Sequence, residues 1–243
     1  MISIIIPAFN EEKRLLSTLY EIFNYLKLEQ IKAEVIIVND GSTDNTSLII
    51  ENVFEEFDNL KLINLEKNYG KGFAVKTGVL SASGEIVIFL DADNSTSLSH
   101  IKEVVTLIGD GYEVVIGSRD TKGSNVVEKQ PLVRLGIGKI FSLFTKNIGL
   151  STYNDTQCGF KGFKSESAKD IFSRTTIRGF AFDIEVLCIA QKYEFRIKEL
   201  PVKWKNNIES KVRIKNIWDM FWDVWKIKTN LKTGVYDKQE NIL

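Results

Sequence analysis

Short apolar runs alternate with longer amphipathic ones through the first half of the chain. Ile2–Ile6, Glu34–Val38, Lys61–Leu65, Glu85–Leu90 and Glu113–Gly117 are short and rich in β-branched side chains. Polar or glycine-bearing turns bound them, so they read as buried strands. Between them, apolar residues recur every three or four positions. In Glu11–Leu28 they are Leu15, Leu19, Ile22, Phe23 and Leu26, a stripe down one helix face. Asn45–Phe57, the stretch from Tyr69 to about Ser81, and Leu98–Leu107 repeat the helical pattern. Such alternation predicts an α/β fold with a doubly wound, mostly parallel sheet and helices on both faces.

After Arg119 the rhythm changes. A polar loop leads into an apolar helical stretch, Leu132–Leu150. Phe160–Phe163 reads as a short strand, Ala168–Ser173 as a helix end, Phe182–Lys192 as a helix and Phe195–Val202 as a strand. Ile214–Leu231 predicts a C-terminal amphipathic helix. No repeat or low-complexity linker divides the chain, so residues 1–232 read as one domain followed by a tail, 233–243.

Composition narrows the class. The 243 residues are 44% apolar and 26% charged with zero net charge, which suits a globular domain and gives no global pull toward nucleic acid. Cys158 and Cys188 form no CxxC pair, so no disulfide is expected and a reducing compartment is the default. The chain enters a strand at Ile2 with no basic leader, so no signal peptide is expected. No apolar run reaches 18 residues, so any membrane contact is expected to be peripheral. The one histidine, His100, reads as a surface helix residue.

The chemistry concentrates where strands end. Asp91-Ala92-Asp93 closes the run Glu85–Leu90. Ligands of open α/β sheets bind outside the carboxyl ends of strands. Two carboxylates there suit a hard divalent cation that takes phosphate oxygens as further ligands, though a polar turn with a helix cap has the same composition. The loop Pro7-Ala8-Phe9-Asn10-Glu11 and the loop Asn39-Asp40-Gly41-Ser42-Thr43-Asp44 arrive at the same edge. Asp40 has the chemistry to accept from an imide N–H of a base, and Gly41 would let a ligand approach the backbone. Helix capping accounts for Asp40, Ser42 and Thr43 equally well. Asn68-Tyr69-Gly70-Lys71-Gly72 resembles a phosphate cradle only loosely, lacking the full P-loop. Arg119, at the end of Gly117-Ser118-Arg119, could hold phosphate bidentately or pair with Asp91 or Asp93.

Taken in order, Pro7-Ala-x-Asn-Glu, Val38-Asn-Asp-Gly-Ser-Thr-Asp, Asn68-x-Gly-Lys-Gly, Asp91-Ala-Asp and Gly117-Ser-Arg resemble the inverting family 2 glycosyltransferases of the GT-A type. The resemblance runs from Met1 to about Lys232. Asp155-Thr-Gln-Cys-Gly-Phe-Lys161, Ala181-Phe-Asp-Ile-Glu-Val186 and Glu209-Ser-Lys-Val-Arg213 are similar to the dolichyl-phosphate β-glucosyltransferase branch, and less so to its mannosyltransferase sister. Asn94-Ser95 and Arg178-Gly-Phe180 depart from the glucosyl pattern. Neither the membrane anchors of some relatives nor the QxxRW motif of processive synthases is seen, so polymerisation is not expected.

The resemblance implies a division of roles. Residues 1–120 would bind the nucleotide, 121–213 the sugar and acceptor, and 214–232 would form an interface helix. Pro7, Ala8, Asn10, Glu11, Asp40, Gly41, Ser42, Lys71 and Ala92 would border the nucleotide. Asp91 and Asp93 would hold Mg2+ or Mn2+ with the diphosphate. Asp155 and Gln157 would face the sugar. Arg119, Arg134, Ser210, Lys211 and Arg213 would surround the phosphates. Asp183 and Glu185 are further catalytic candidates, although acids opening a helix also complement its dipole. The implied reaction is metal-dependent transfer of a hexose, glucose from UDP-glucose, to a polyprenyl or dolichyl phosphate at the inner, cytoplasmic membrane face. Mannosyl transfer from GDP-mannose and transfer to a glycan hydroxyl are the alternatives.

The tail fits a lipid substrate. From Lys203 to Lys232, eight basic residues face three acids, a local charge of +5. Trp218, Trp222 and Trp225 share one helix face, a composition suited to a membrane interface. Packing of that face on the catalytic domain, on a second copy or on an integral-membrane partner is the alternative.

Overall fold

The computed structural model describes residues 1–54, 56–127, 149–205 and 214–237. The candidates Arg134, Ser210, Lys211 and Arg213, and most of the Leu132–Leu150 stretch, lie outside the described residues. The strands are β1 (Ile2–Ala8), β2 (Ala33–Asn39), β3 (Leu60–Asn64), β4 (Ile86–Leu90), β5 (Val114–Ser118), β6 (Asn125–Val126), β7 (Phe160–Lys164), β8 (Ile197–Pro201) and β9 (Lys203–Trp204). The helices are α1 (Leu15–Leu28), α2 (Thr46–Phe54), α3 (Lys71–Leu80), α4 (His100–Gly109), α5 (Ser165–Arg174), α6 (Phe182–Lys192) and α7 (Ile214–Thr233).

Seven strands form one sheet in the order β3-β2-β1-β4-β7-β5-β8, and β6 pairs with β9 separately. All neighbours in the large sheet are parallel except β7, which runs antiparallel to β4 and β5. The order reverses between β1 and β4: the chain leaves β1 toward β2 and β3, then returns to β1's other side. That reversal opens a crevice at the carboxyl ends of β1 and β4.

Each strand feeds two cores because side chains alternate across a strand. Ile4 and Ile6 belong to the core that α1, α2 and α4 cover, whereas Ile5 belongs to the core shared by α3, α5, α6 and α7. All three isoleucines are fully buried, and each contributes about 1.5–3 kcal/mol.

Helix α1 begins at Leu15, four residues later than the apolar stripe predicts. The Glu11 N–H donates to Thr46 Oγ1 and the Glu12 N–H to Asp44 Oδ2. These bonds tie the first loop to the second. His100 is buried, a correction to its reading as a surface residue. Its Nε2 accepts from the Lys203 N–H at 2.9 Å, so Nδ1 carries the proton and donates to Glu103 at 2.7 Å. The ring thus joins α4 to β9.

Candidate functional site at the carboxyl edge of the sheet

Four loops meet above the β1–β4 reversal. Asn10, with left-handed backbone at φ 55°, accepts from the Thr43 N–H at 2.7 Å and donates its own N–H to Ser42 Oγ at 2.9 Å. The Asp40 N–H donates to the Ala8 carbonyl. Asp40 itself is buried, and its oxygens accept from the Tyr69 and Gly70 N–H groups at 2.7 and 2.9 Å. Burial pushes its pKa up, against those two hydrogen bonds. Asp40 therefore fastens the loop before α3 to the end of β2. A Cβ on Gly41 would fall 2.3 Å from the Lys67 backbone carbon. The close approach expected of a ligand there is made by the chain's own backbone. Pro7 stands one residue before the end of β1, partly exposed beside buried Ala8.

Asp91 and Asp93 project from the end of β4, each held by a cation. The Lys71 Nζ, at the start of α3, lies 2.6 Å from Asp91 Oδ1. Burial would lower the Lys71 pKa, but Asp91 and Asp183 outweigh it and hold it above the ordinary lysine value. Arg14 sits between Glu11, which it contacts directly, and Asp93 Oδ2 at 3.7 Å. Asp93 Oδ1 accepts from the Ser95 N–H at 3.0 Å. The Ala92 carbonyl accepts from Thr18 Oγ1 at 2.8 Å, pinning the turn between the two acids. Gly159 permits this arrangement. A Cβ there would fall 1.9 Å from Asp91 Oδ2.

The donor set fits a hard divalent cation whose shell is completed by others. Among the described residues no group of three or more His, Cys, Asp or Glu could enclose a metal ion. Two carboxylates, Asp91 and partly exposed Asp93, supply oxygens only, leaving the remaining positions to phosphate and water.

Arg119 pairs with neither Asp91 nor Asp93. Its Nε and Nη2 grip Asp155 at 2.6 and 2.9 Å, and its backbone N–H adds a third bond at 3.1 Å. Burial opposes the Arg119 charge, yet Asp155 overcomes it and raises the guanidinium pKa. The Trp204 ring lies 5.4 Å from the guanidinium carbon. Asp155 is held in turn by Glu199, which accepts its N–H at 3.2 Å, and it accepts from the Gln157 N–H at 3.1 Å. Asp155 and Gln157, expected to face a sugar, thus build the turn that orients Arg119.

Beneath the crevice lies a charge pair that the sequence reading did not single out. Lys161, on β7, is fully buried, and its Nζ lies 2.5 Å from Asp183 Oδ1 and 2.8 Å from the Cys158 carbonyl. Burial raises the Asp183 pKa against the pull of Lys161 and Lys71. The available signal was a lysine at the inward position of a strand whose next inward residue is Phe163. Glu185, a catalytic candidate in the sequence, is tied into the fold by hydrogen bonds. Its Oε1 accepts from Thr176 N–H and Oγ1 and from Tyr236 OH, and its Oε2 from the Ile177 N–H, at 2.7–2.9 Å. Fully buried on these four donors, it fixes the segment before α6. Cys158 and Cys188 are buried free thiols with pKa pushed by burial to about 11 and about 12, so neither is a nucleophile.

Comparison with known proteins agrees with this architecture. The family model described as glycosyl transferase family 2 matches residues 3–172. Dolichyl-phosphate beta-glucosyltransferase ALG5A of Trichomonas vaginalis is 37% identical over 97% of this chain and 75% of that protein. The Dictyostelium discoideum dolichyl-phosphate beta-glucosyltransferase is 32% identical over 97% and 76%. Homo sapiens dolichyl-phosphate beta-glucosyltransferase is 32% identical over 84% and 67%. Among solved structures, Mycobacterium tuberculosis glucosyl-3-phosphoglycerate synthase, in complex with Mn2+, UDP and glucosyl-3-phosphoglycerate, superposes with a TM-score of 0.67 at 17% identity, covering 98% of this chain and 81% of that one. Staphylococcus aureus TarS 1–349 in complex with UDP-GlcNAc gives 0.60 at 18% identity, covering 93% and 66%. With the GT-A-like sheet and this extent of matching sequence, the chain belongs to glycosyl transferase family 2 and is a glycosyltransferase.

Proposed function

We propose that the enzyme transfers glucose from UDP-glucose to the phosphate of a dolichyl or polyprenyl phosphate, inverting the anomeric centre. The dolichyl-phosphate beta-glucosyltransferases it resembles support the sugar and the acceptor. The observation that carries the reading is the state of the acids. Asp91 is paired with Lys71, Asp155 with Arg119 and Asp183 with Lys161, while Glu185 is saturated by donors. A sugar hydroxyl needs a base to take its proton. A phosphate monoester is already anionic near neutral pH. It asks the site for positioning and positive charge instead.

The chain's own groups supply both. Lys71 and Arg14 hold Asp91 and Asp93 at the crevice. The Lys161–Asp183 pair sets the floor beneath Lys71, and the Arg119–Asp155 fork sets the wall toward β8. Bound through Asp93 and Asp91, Mg2+ or Mn2+ would neutralise the departing diphosphate as a Lewis acid. Residues 1–120 then serve the nucleotide and 121–213 the sugar and acceptor, as one catalytic unit. Two reduced, buried thiols accord with the inner, cytoplasmic face of a membrane as the place of work.

The test supplies labelled UDP-glucose or GDP-mannose, polyprenyl phosphate and Mg2+ or Mn2+. Label in the lipid phase from UDP-glucose alone supports the proposal. Label from GDP-mannose alone replaces the sugar. Label from neither, with nucleotide still bound, refutes the phosphate acceptor.

A further inference from the structure

Helix α7 is split lengthwise by chemistry. Met220, Val224 and Ile227 are buried against the core. Trp218, Trp222 and Trp225 point the other way, 66%, 69% and 64% exposed. Among the described residues, none of the catalytic domain covers these tryptophans. Basic residues are in excess on the same side. Exposed Lys226 lies four residues after Trp222, exposed Lys228 three after Trp225, and exposed Lys232 seven after Trp225, so all three border the tryptophan face. One acid, exposed Asp219, stands three residues before Trp222 at the same rim, whereas Asp223 is only partly exposed, its Oδ2 lying 3.2 Å from where a Cβ on Gly179 would be.

We infer that this face is a lipid-binding surface that lies in the headgroup region of an anionic bilayer. Indole rings combine an apolar body with a polar N–H and settle at that depth. Lysines at their rim meet lipid phosphates. Three exposed lysines against one exposed acid give the described rim a positive excess, which complements anionic lipid. The placement also suits the site. The Gly179 carbonyl packs against Gly72, one residue from Lys71, so α7 lies beside the loop that borders the crevice. This rests on the proposed lipid-phosphate acceptor for its purpose, but its evidence is the surface itself.

Three of the four tryptophans of the chain are on this face, so intrinsic emission reports on it directly. The experiment titrates the full chain with phosphatidylcholine vesicles, with or without phosphatidylglycerol, and follows emission and co-sedimentation. The expected result is a blue shift and binding that strengthens with phosphatidylglycerol and weakens with salt. Replacing Lys226, Lys228 and Lys232 by Gln should weaken anionic binding about fivefold per lysine. Trp218→Ala/Trp222→Ala/Trp225→Ala should abolish it while leaving the circular dichroism spectrum and transfer to a short, water-soluble prenyl phosphate unchanged. Folded wild-type protein that binds neither vesicle, or a triple variant that binds as well as wild type, overturns the inference. So does a concentration-dependent dimer that shields the tryptophans. Absence of transfer to the short acceptor by wild-type protein that still binds vesicles would remove the proposed function and leave this surface standing.

Discussion

Replacing Lys161 by Met tests how the floor of the site is held. The lysine is 0% exposed, with its Nζ 2.5 Å from Asp183 Oδ1 and 2.8 Å from the Cys158 carbonyl. Methionine fills nearly the same volume, so the cavity contribution is small. What remains is a buried carboxylate stripped of its nearest cation. Removing one partner of such a pair costs about 3–5 kcal/mol. Lys161→Met/Asp183→Asn removes both charges and should cost only about 1–2 kcal/mol, for hydrogen bonds left unmade. The double variant should therefore be about 2–3 kcal/mol more stable than Lys161→Met alone, and the two single costs should sum to well more than the double, measured by urea unfolding of wild type, both single variants and the double. The sign with pH is fixed as well. Burial already raises the Asp183 pKa in the folded state. Without Lys161 it rises further, so folding favours the protonated acid more strongly. The variant's deficit is then largest above the raised pKa and shrinks as pH falls through it toward the ordinary carboxylate range. A single variant costing under about 1 kcal/mol, or a double as costly as the two singles added, would refute the pairing argument.

Three other outcomes follow. Asp93→Ala should lower transfer by about a hundred- to a thousandfold at saturating Mg2+ or Mn2+. Its unfolding free energy should change by under about 1 kcal/mol, since its Arg14 contact is long and partly exposed. Gly159→Ala forces the Asp91 carboxylate to move, because the new methyl would fall 1.9 Å from Oδ2. A shift of about 1 Å there should reduce kcat/KM about a hundredfold in the same lipid-transfer assay. Asp223 has a folded pKa raised by burial to about 6, so its stability contribution is present at low pH and lost as pH rises through about 6. Asp223→Asn should therefore raise Tm at pH 8 but not at pH 4, by scanning calorimetry.

The parallel part of the fold was legible because β1, β2, β4 and β5 are apolar runs separated by amphipathic helices. The antiparallel course of β7 was not, since a strand's pattern of apolar residues carries no direction. Asp91 and Asp93 could be found from their position at a strand end. Their partners could not: Lys71 and Arg14 are brought to them by α3 and by the loop before α1. Arg119 and Asp155, and likewise Lys161 and Asp183, are joined only when β5, β7 and α6 are assembled. Glu185 showed as an acid opening a helix, whereas its role depends on Thr176, Ile177 and Tyr236 converging on it. His100 stands between Leu98 and Ile101, so helical spacing placed it near the core, and its polarity obscured that. The tryptophan spacing was visible from the start. Which way the face points required α7 to be docked through Met220, Val224 and Ile227.

The most direct test of the central claim is the linkage of the product. Wild-type enzyme would be given UDP-glucose, polyprenyl phosphate and Mg2+ or Mn2+, and the lipid product examined by phosphorus and proton NMR. The account predicts a β-glucosyl phosphodiester, formed only when divalent cation is supplied. An α-linked product, glucose joined to a hydroxyl instead of the phosphate, or undiminished product in excess chelator would contradict it.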